Sequence, residues 1–403
     1  MQPISVNTFL SNMQIPERYE INRTAFQYYW TKGIGASLLD KLTEKPVLSD
    51  ANKLIPLLYQ SDDSCDQLVK NLHLKIGFTQ GQQFIADYLQ GKSVPDLYKS
   101  LISDFIARLP LEPAWLDWNK LQQGVAISQR SGLSGLIVLR DYCLMGGYES
   151  SAINKPLIFT GALKKGAVKR LTETVTFWVD ITGDNALKEG GIGIEAILMT
   201  RCIHSFARLN LLKYGGWKIN KWGIPLNTWD MLATNLGFSL VYLIGLKQMK
   251  FKILKEEKEG LFHLWKYIGT LLGIPADFLP DSEEEAIKAL YYWTMTQKGG
   301  DEDSIALAQA LMEEPVDAAY PRSKFGRRLM REIHLYYNNH LLGRYSCNLL
   351  GLGKTIIGQI AYFNILKNKR ANSRITEPTW RQKQIIKGRK VHEHVKQIYL
   401  TYN

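Results

Sequence analysis

The stretch that most constrains the fold of this chain runs from residue 192 to residue 212. Its apolar residues recur at helical spacing and it contains no proline, which predicts a helix of several turns. On this helix His204 follows Arg201 by three residues and precedes Arg208 by four, so all three share one stripe. Two arginines on a largely apolar helix need an anionic partner, because an unpaired buried guanidinium costs several kcal/mol.

The chemistry of this stripe has two interpretations when only these residues are considered. A haem would satisfy all three side chains, with its iron on the imidazole of His204 and its propionates on Arg201 and Arg208. In the commoner arrangement, a lone helical histidine packs in the core or lies at the surface, and paired arginines meet aspartate or glutamate.

Other motifs extend this pattern along the chain in a fixed order. They are Thr160-Gly161-x-Leu163, Arg170-x-x-x-Thr174, Trp222-Gly223-x-Pro225-x-Asn227-x-x-Asp230-x-x-x-Thr234-x-x-x-Phe238, and the segment from Leu341 to Leu352. Together with the arginine–histidine stripe they resemble the signature of the mpaB/rubber-oxygenase family, which are haem b proteins that include the latex clearing proteins. The resemblance covers residues 115–355 in register, which makes it far more specific than one short motif.

The resemblance implies a role for each residue of the stripe. In the family the iron takes one protein ligand, a histidine, and His204 stands at that position, so we expect a haem b iron on His204. Arg201 and Arg208 are expected to bind the cofactor by pairing with the haem propionates or to hold the helix in place, and propionate pairing is favoured for at least one of them.

The same resemblance assigns Arg170, Glu173 and Thr174 to the oxygen side of the haem. Their spacing places them on one helix face. In the rubber oxygenases an arginine, a lysine and a threonine stand there, and in closed latex clearing proteins the lysine can coordinate iron. Here that position is Glu173, so the closed six-coordinate state is not expected. Glu173 would act as an acid or base if an apolar pocket raised its pKa, and the alternative is a surface ion pair with Arg170.

The function implied is that of a haem b-dependent oxygenase. It would use dioxygen on an unsaturated hydrophobic substrate, an isoprenoid or other lipid, by oxidative cleavage of a carbon–carbon double bond. One alternative is a non-catalytic haem protein that carries electrons or senses a gas. Another is a haem-free basic helical module that binds a membrane or nucleic acid.

Composition and sequence patterns indicate the class of protein and its cellular location. Of its 403 residues 45% are hydrophobic and 22% charged, as in a folded globular protein. We expect a cytoplasmic protein, because the N-terminus lacks the pattern of a signal peptide and the four cysteines have no disulfide spacing. No apolar run reaches the ~18 residues of a membrane span, and residues 237–246 are predicted to be a buried helix.

The predicted fold is all-α, with a globin-like helical core at residues 115–355. Residues 1–114 are expected to be an N-terminal helical extension packed on this core, and residues 356–403 a basic C-terminal helical segment. Basic residues cluster at 367–390, and the net charge of the chain is +12. This cluster predicts a solvated helical face or a peripheral contact with an anionic membrane, whereas nucleic acid is not favoured because exposed aromatic residues do not alternate with the charges.

Overall fold

The computed structural model describes residues 15–21, 24–161 and 166–402. Within them the structure is helical, and the only β-pairing is an isolated bridge between Ser150 and Gly299. The α-helices in chain order are α1 Gln27–Thr31, α2 Ile34–Leu39, α3 Asp63–Asn71, α4 His73–Ile76, α5 Phe78–Leu89, α6 Asp96–Ile106, α7 Trp118–Arg130, α8 Gly132–Val138, α9 Met145–Gly147, α10 Ser151–Phe159, α11 Ala167–Ile181, α12 Ile192–Tyr214, α13 Ile219–Trp222, α14 Thr228–Leu236, α15 Tyr242–Gln248, α16 Lys255–Leu271, α17 Glu283–Thr294, α18 Glu302–Asp317, α19 Lys324–Leu349, α20 Tyr362–Asn372 and α21 Pro378–Tyr402. The predicted all-α fold is confirmed.

Short helices of other types complete the secondary structure. The 3₁₀ helices are Leu48–Tyr59, Ala276–Phe278 and Ile357–Ala361. Two π-helical turns make continuous rods of shorter helices: Leu139–Leu144 joins α8 to α9, and Gly237–Val241 joins α14 to α15. Leu163, which is part of the family-like pattern, lies outside the described residues.

The centre of the molecule is the crossing of α7 and α16, which is possible because glycines meet there. A Cβ atom built at Gly124 would lie 2.3 Å from the carbonyl oxygen of Gly260, so neither position has room for a side chain. Beside the crossing, the ring of Trp265 stacks 5.7 Å from Trp178 and 4.7 Å from Phe238. These aromatic rings fill the space between α11, α16 and the rod that contains α14.

The helix that was predicted first from the sequence is confirmed and extends slightly further, from Ile192 to Tyr214. Helix α14 begins at Thr228 with Asn227 as its N-cap, and the side-chain oxygen of Asn227 accepts a hydrogen bond of 2.9 Å from the amide of Asp230. Local sequence rules therefore locate both helices around the candidate site.

The stretch Thr228–Gln248 is the one helix in the described part of the chain that is long and apolar enough to cross a membrane. Its most apolar window is 67% buried among other helices, however. This burial agrees with the prediction that residues 237–246 form a core helix. A buried core helix can be as apolar as a helix that spans a membrane, so composition alone does not distinguish the two.

The C-terminal helix α21 is docked on the core. A Cβ atom at Gly388 would lie 2.0 Å from the carbonyl oxygen of Gln129, so α21 approaches α7 at backbone distance. Nearby, Lys396 forms an ion pair with Asp180. Part of the basic C-terminal segment therefore holds the fold together, and the division of the chain into a core and two terminal segments stays a prediction.

Candidate functional site

Helix α12 is fastened to the start of α3 by two ion pairs. The guanidinium of Arg201 donates from Nη2 to Oδ1 of Asp62 over 2.8 Å, and that of Arg208 donates from Nη2 to Oδ1 of Asp66 over 2.6 Å. In both pairs Nε donates to the carboxylate as well, so each contact is bidentate. All four side chains are largely buried, so removal of one partner would leave an uncompensated buried charge.

The Nη1 atom of each arginine is also engaged. Nη1 of Arg201 donates to the backbone oxygen of Leu271 over 3.0 Å, and Nη1 of Arg208 donates to that of Leu226 over 3.1 Å. Of the two roles expected for these arginines, the geometry matches holding the helix. Their guanidiniums are committed to protein carboxylates and carbonyls, which leaves them poorly suited to propionates.

His204 lies between the two arginines along the helix and lines the same small cavity as both. Its Nδ1 atom is buried without a hydrogen-bond partner among the described residues. Burial, assisted by the positive charge of Arg208, lowers the pKa of His204 to about 4. The imidazole is therefore neutral near pH 7, which is the state in which histidine binds a metal ion.

The cavity beside His204 measures about 10 Å³, which is room for one water molecule. Cofactor pockets are usually ~300–1,000 Å³, so this cavity is too small for a porphyrin. The neighbouring Ile203 is exposed. The neutral imidazole of His204 could hold a metal ion as its one protein ligand, and the described residues contain no cluster of three or more His, Cys, Asp or Glu side chains that would favour a different metal centre.

Helix α14 and the π-helical turn after it contribute a further partly exposed face near His204. Met231 lines the same cavity as His204, and Thr234 and Phe238 follow it at helical spacing with part of their surface exposed. The ring of Phe238 stacks 6.1 Å from Trp178 of α11. Through this contact the face adjoins the helix that carries the other predicted site residues.

Arg170, Glu173 and Thr174 lie on α11, as their spacing predicted. Nη1 of Arg170 donates to the hydroxyl of Tyr148 over 2.7 Å, and its guanidinium lies 5.4 Å from the centre of that ring. The hydroxyl of Thr174 donates to the backbone oxygen of Arg170 over 2.9 Å. Arg170 is therefore held by an aromatic partner on the preceding segment.

Glu173 is exposed and forms no ion pair with any residue that the structure describes. The surface pair with Arg170 is thus not formed. The apolar pocket that an acid–base role would require does not surround the carboxylate either. Helices α11 and α12 pack against each other, but no hydrogen bond in the described residues links Arg170 or Thr174 to His204.

Sequence reasoning missed the partners of the charged site residues. Asp62 and Asp66 were not singled out, although they are four residues apart at the start of a helix and so share one face, as Arg201 and Arg208 do seven residues apart on α12. Tyr148 was also missed, because nothing near it in sequence indicates that its hydroxyl would reach Arg170. The shared helix face of Asp62 and Asp66 is a sequence signal from which these partners could have been predicted, whereas no sequence signal indicates the role of Tyr148.

Comparison with known proteins shows the family to which the chain belongs. Residues 130–366, more than half of the chain, match the family model described as "ER-bound oxygenase mpaB/B'/Rubber oxygenase, catalytic domain". The chain belongs to this family. The predicted family resemblance is therefore confirmed.

Two known members of the group illustrate how far the likeness extends. The rubber oxygenase of Streptomyces sp. (strain K30) is 24% identical over 189 residues, which are 46% of this chain and 46% of the relative. The match thus spans less than half of that protein. The solved structure of latex clearing protein LCP in the closed state superposes with a TM-score of 0.54 at 16% identity, covering 83% of this chain and 91% of the other, and this likeness shows the shared fold alone.

Proposed function

We propose that this protein is a haem b-dependent oxygenase that acts on an unsaturated hydrophobic substrate, an isoprenoid or another lipid. Membership of the mpaB/rubber-oxygenase family supports an oxygenase. The observation that carries the haem part of the proposal is the place of His204 in the family pattern, where it stands at the position of the family's iron ligand with a neutral imidazole.

His204 would hold the iron, and the bidentate pairs of Arg201 and Arg208 would fix the helix that presents it. A ligand on a helix held at two points keeps its orientation, which a metal site requires of the residues around it. When bound, haem supplies an iron centre at which dioxygen is activated.

Arg170 would polarise dioxygen by hydrogen bonding, and the Thr174 hydroxyl would do so once it gives up its bond to the backbone oxygen of Arg170. The contact of Arg170 with Tyr148 limits the positions that its guanidinium can take. Glu173 would not replace the lysine ligand of the closed latex clearing proteins, because its carboxylate is exposed to solvent. We therefore propose Glu173 as a solvent-side residue of the site.

The substrate proposal rests on the apolar side chains near His204. Ile203 is exposed, and Phe238 is partly exposed on the neighbouring helical rod. Such surfaces favour a hydrocarbon chain over a polar substrate. Oxidative cleavage would break one carbon–carbon double bond and place one oxygen atom of dioxygen on each carbon, which gives two carbonyl products.

The absorption spectrum of the purified protein tests the proposal. We expect a Soret band that is lost in His204→Ala and kept in His392→Ala, because His392 is buried and its Nε2 contacts the backbone oxygen of Gly132 over 3.0 Å. Absence of the band in the unmodified protein would leave a haem-free helical module.

A second measurement separates an enzyme from a haem-binding sensor or electron carrier. Oxygen consumption with a terpenoid, and carbonyl products detected by mass spectrometry, are expected of the oxygenase. A protein that has the Soret band but neither consumes oxygen nor forms these products would be the non-catalytic alternative.

A further inference from the structure

One stretch near the C-terminus exposes large apolar side chains to solvent. The exposed fractions of these side chains are Ile356 85%, Ile357 62%, Ile360 48%, Phe363 74% and Leu366 43%. Five such residues within eleven positions are unusual for a surface, where single apolar residues are normal but clusters indicate an interaction. We call this surface the 356–366 face.

Helix α20 shows that this exposure is built into the fold. Its inward side carries the buried Ile365 together with the side-chain amides of Asn364 and Asn368, which donate to the hydroxyl of Ser134 over 3.1 Å and 2.9 Å. Phe363 and Leu366 lie on the opposite side of the helix. An amphipathic helix in a soluble protein normally has its apolar stripe inward, so the outward stripe of α20 is suited to an apolar environment outside the protein.

The segment before α20 is held in the same orientation. A Cβ atom at Gly358 would lie 2.1 Å from the backbone oxygen of Glu332 in α19, so the backbone of this 3₁₀ turn is pressed against that helix. Ala361 is buried on the same side. With Gly358 and Ala361 facing inward, Ile356, Ile357 and Ile360 can only face outward.

Positive charge surrounds the apolar residues. Exposed basic residues on or next to the 356–366 face are Lys354, Lys367, Lys369 and Arg370, and three more follow on α21 at Lys383, Lys387 and Lys390. Trp380 at the start of α21 donates from Nε1 to the backbone oxygen of Ala371 over 2.8 Å, which joins the two basic groups. From residue 350 onwards the only acidic residues are Glu377 and Glu393, and each is paired with an arginine of its own segment.

We infer that the 356–366 face docks the protein on an anionic lipid membrane. Apolar side chains would enter the boundary between headgroups and acyl chains, and the surrounding lysines and arginines would contact the negative headgroups. A second copy of this chain is a poorer occupant, because pairing two such faces would bring their positive charges together. The inference stands apart from the proposed haem chemistry.

Flotation of the full-length protein with vesicles tests the inference. We expect binding to vesicles of roughly three parts phosphatidylcholine to one part phosphatidylserine, little binding to phosphatidylcholine alone, and weakening at high salt. The double variant Phe363→Ser/Leu366→Ser should bind at least about tenfold more weakly. Both side chains are exposed, so the fold should be kept, which circular dichroism checks.

Two control variants test whether vesicle binding depends on the 356–366 face rather than on any exposed leucine or lysine of the protein. Leu97→Ser removes an exposed leucine on α6, and Lys70→Glu/Lys75→Glu reverses two exposed charges near α3 and α4; both should leave vesicle binding unchanged. Reversal of Lys367 and Arg370 to glutamate should abolish the preference for phosphatidylserine. The inference is overturned if the protein does not bind either vesicle, if the control variants lose as much binding, or if light scattering shows that the face pairs two copies instead.

Discussion

The carboxylate of Asp66 and the guanidinium of Arg208 are joined by two hydrogen bonds across 142 residues of sequence. Both side chains are largely buried, and the pair ties α12, which carries His204, to α3. The N-terminal helices thus help to position the candidate iron ligand.

We predict that Arg208→Ala lowers the free energy of unfolding by about 3–5 kcal/mol, because it leaves the buried carboxylate of Asp66 without its partner. Urea unfolding followed by circular dichroism measures this loss. Arg374→Ala, which breaks the exposed pair with Glu377, should leave the urea midpoint unchanged. Equal midpoints for the two variants would show that the Arg208 pair does not stabilise the fold.

The crossing of α7 and α16 gives a second prediction. Gly124→Ala is expected to destabilise the protein by about 1–3 kcal/mol, because the new methyl group would overlap the backbone of Gly260. Gly147→Ala is the matched control, since a Cβ atom there meets nothing within 4 Å. Thermal unfolding of both variants checks the contrast, and a Gly124→Ala protein as stable as the control would contradict the close crossing.

The sequence predicts those parts of the fold that local rules determine. The span of α12 follows from apolar spacing, the start of α14 follows from the capping residue Asn227, and the shared face of Arg170 and Thr174 follows from helical geometry. Each of these features depends on residues within a few turns of one another, so periodicity is sufficient to find them.

Features that depend on distant contacts could not be predicted in the same way. Arg201 pairs with Asp62, which is 139 positions away in the sequence. The spacing of residues along one helix does not identify the distant carboxylate that neutralises a guanidinium. In the sequence, Phe363 and Leu366 cannot be distinguished from apolar residues of a helix that pack into the core. The tertiary contacts of Asn364 and Asn368, with the buried Ile365 beside them, show that Phe363 and Leu366 lie on the outward side of this helix.

The stability of the protein should fall in acid partly through Glu283. Burial alone would raise the pKa of this carboxyl, but hydrogen bonds of 2.9 Å from Lys247 and from Lys258 outweigh it and hold the pKa at about 2. Since the folded-state pKa lies below the ordinary value of 4.5, the contribution is present above pH 4.5 and is lost as the pH falls towards 2.

We expect Glu283→Gln to remove about 1 kcal/mol of stability at neutral pH and to flatten the decline below pH 4.5, a modest size because solvent screens this partly exposed group. Urea midpoints measured across the acid range test this. Asp104→Asn, which neutralises an exposed carboxylate on α6, is the control and should keep the original profile. A decline in Glu283→Gln as steep as in the unmodified protein would assign the acid sensitivity to other groups.

The final prediction concerns the contact between Tyr148 and Arg170. Tyr148→Phe keeps the ring under the guanidinium but removes the hydroxyl that accepts its hydrogen bond of 2.7 Å. If Arg170 donates to dioxygen, a less firmly held guanidinium should lower the rate of oxygen consumption about tenfold at saturating substrate, which corresponds to about 1.4 kcal/mol. The Soret band should stay unchanged, because Tyr148 is not a ligand.

Thr172→Val, which removes a hydroxyl bonded only to the backbone of α11, serves as the control and should keep the full rate. A Tyr148→Phe protein with the full rate would show that Arg170 does not need this partner, and a lost Soret band would show that the tyrosine maintains the cofactor site itself.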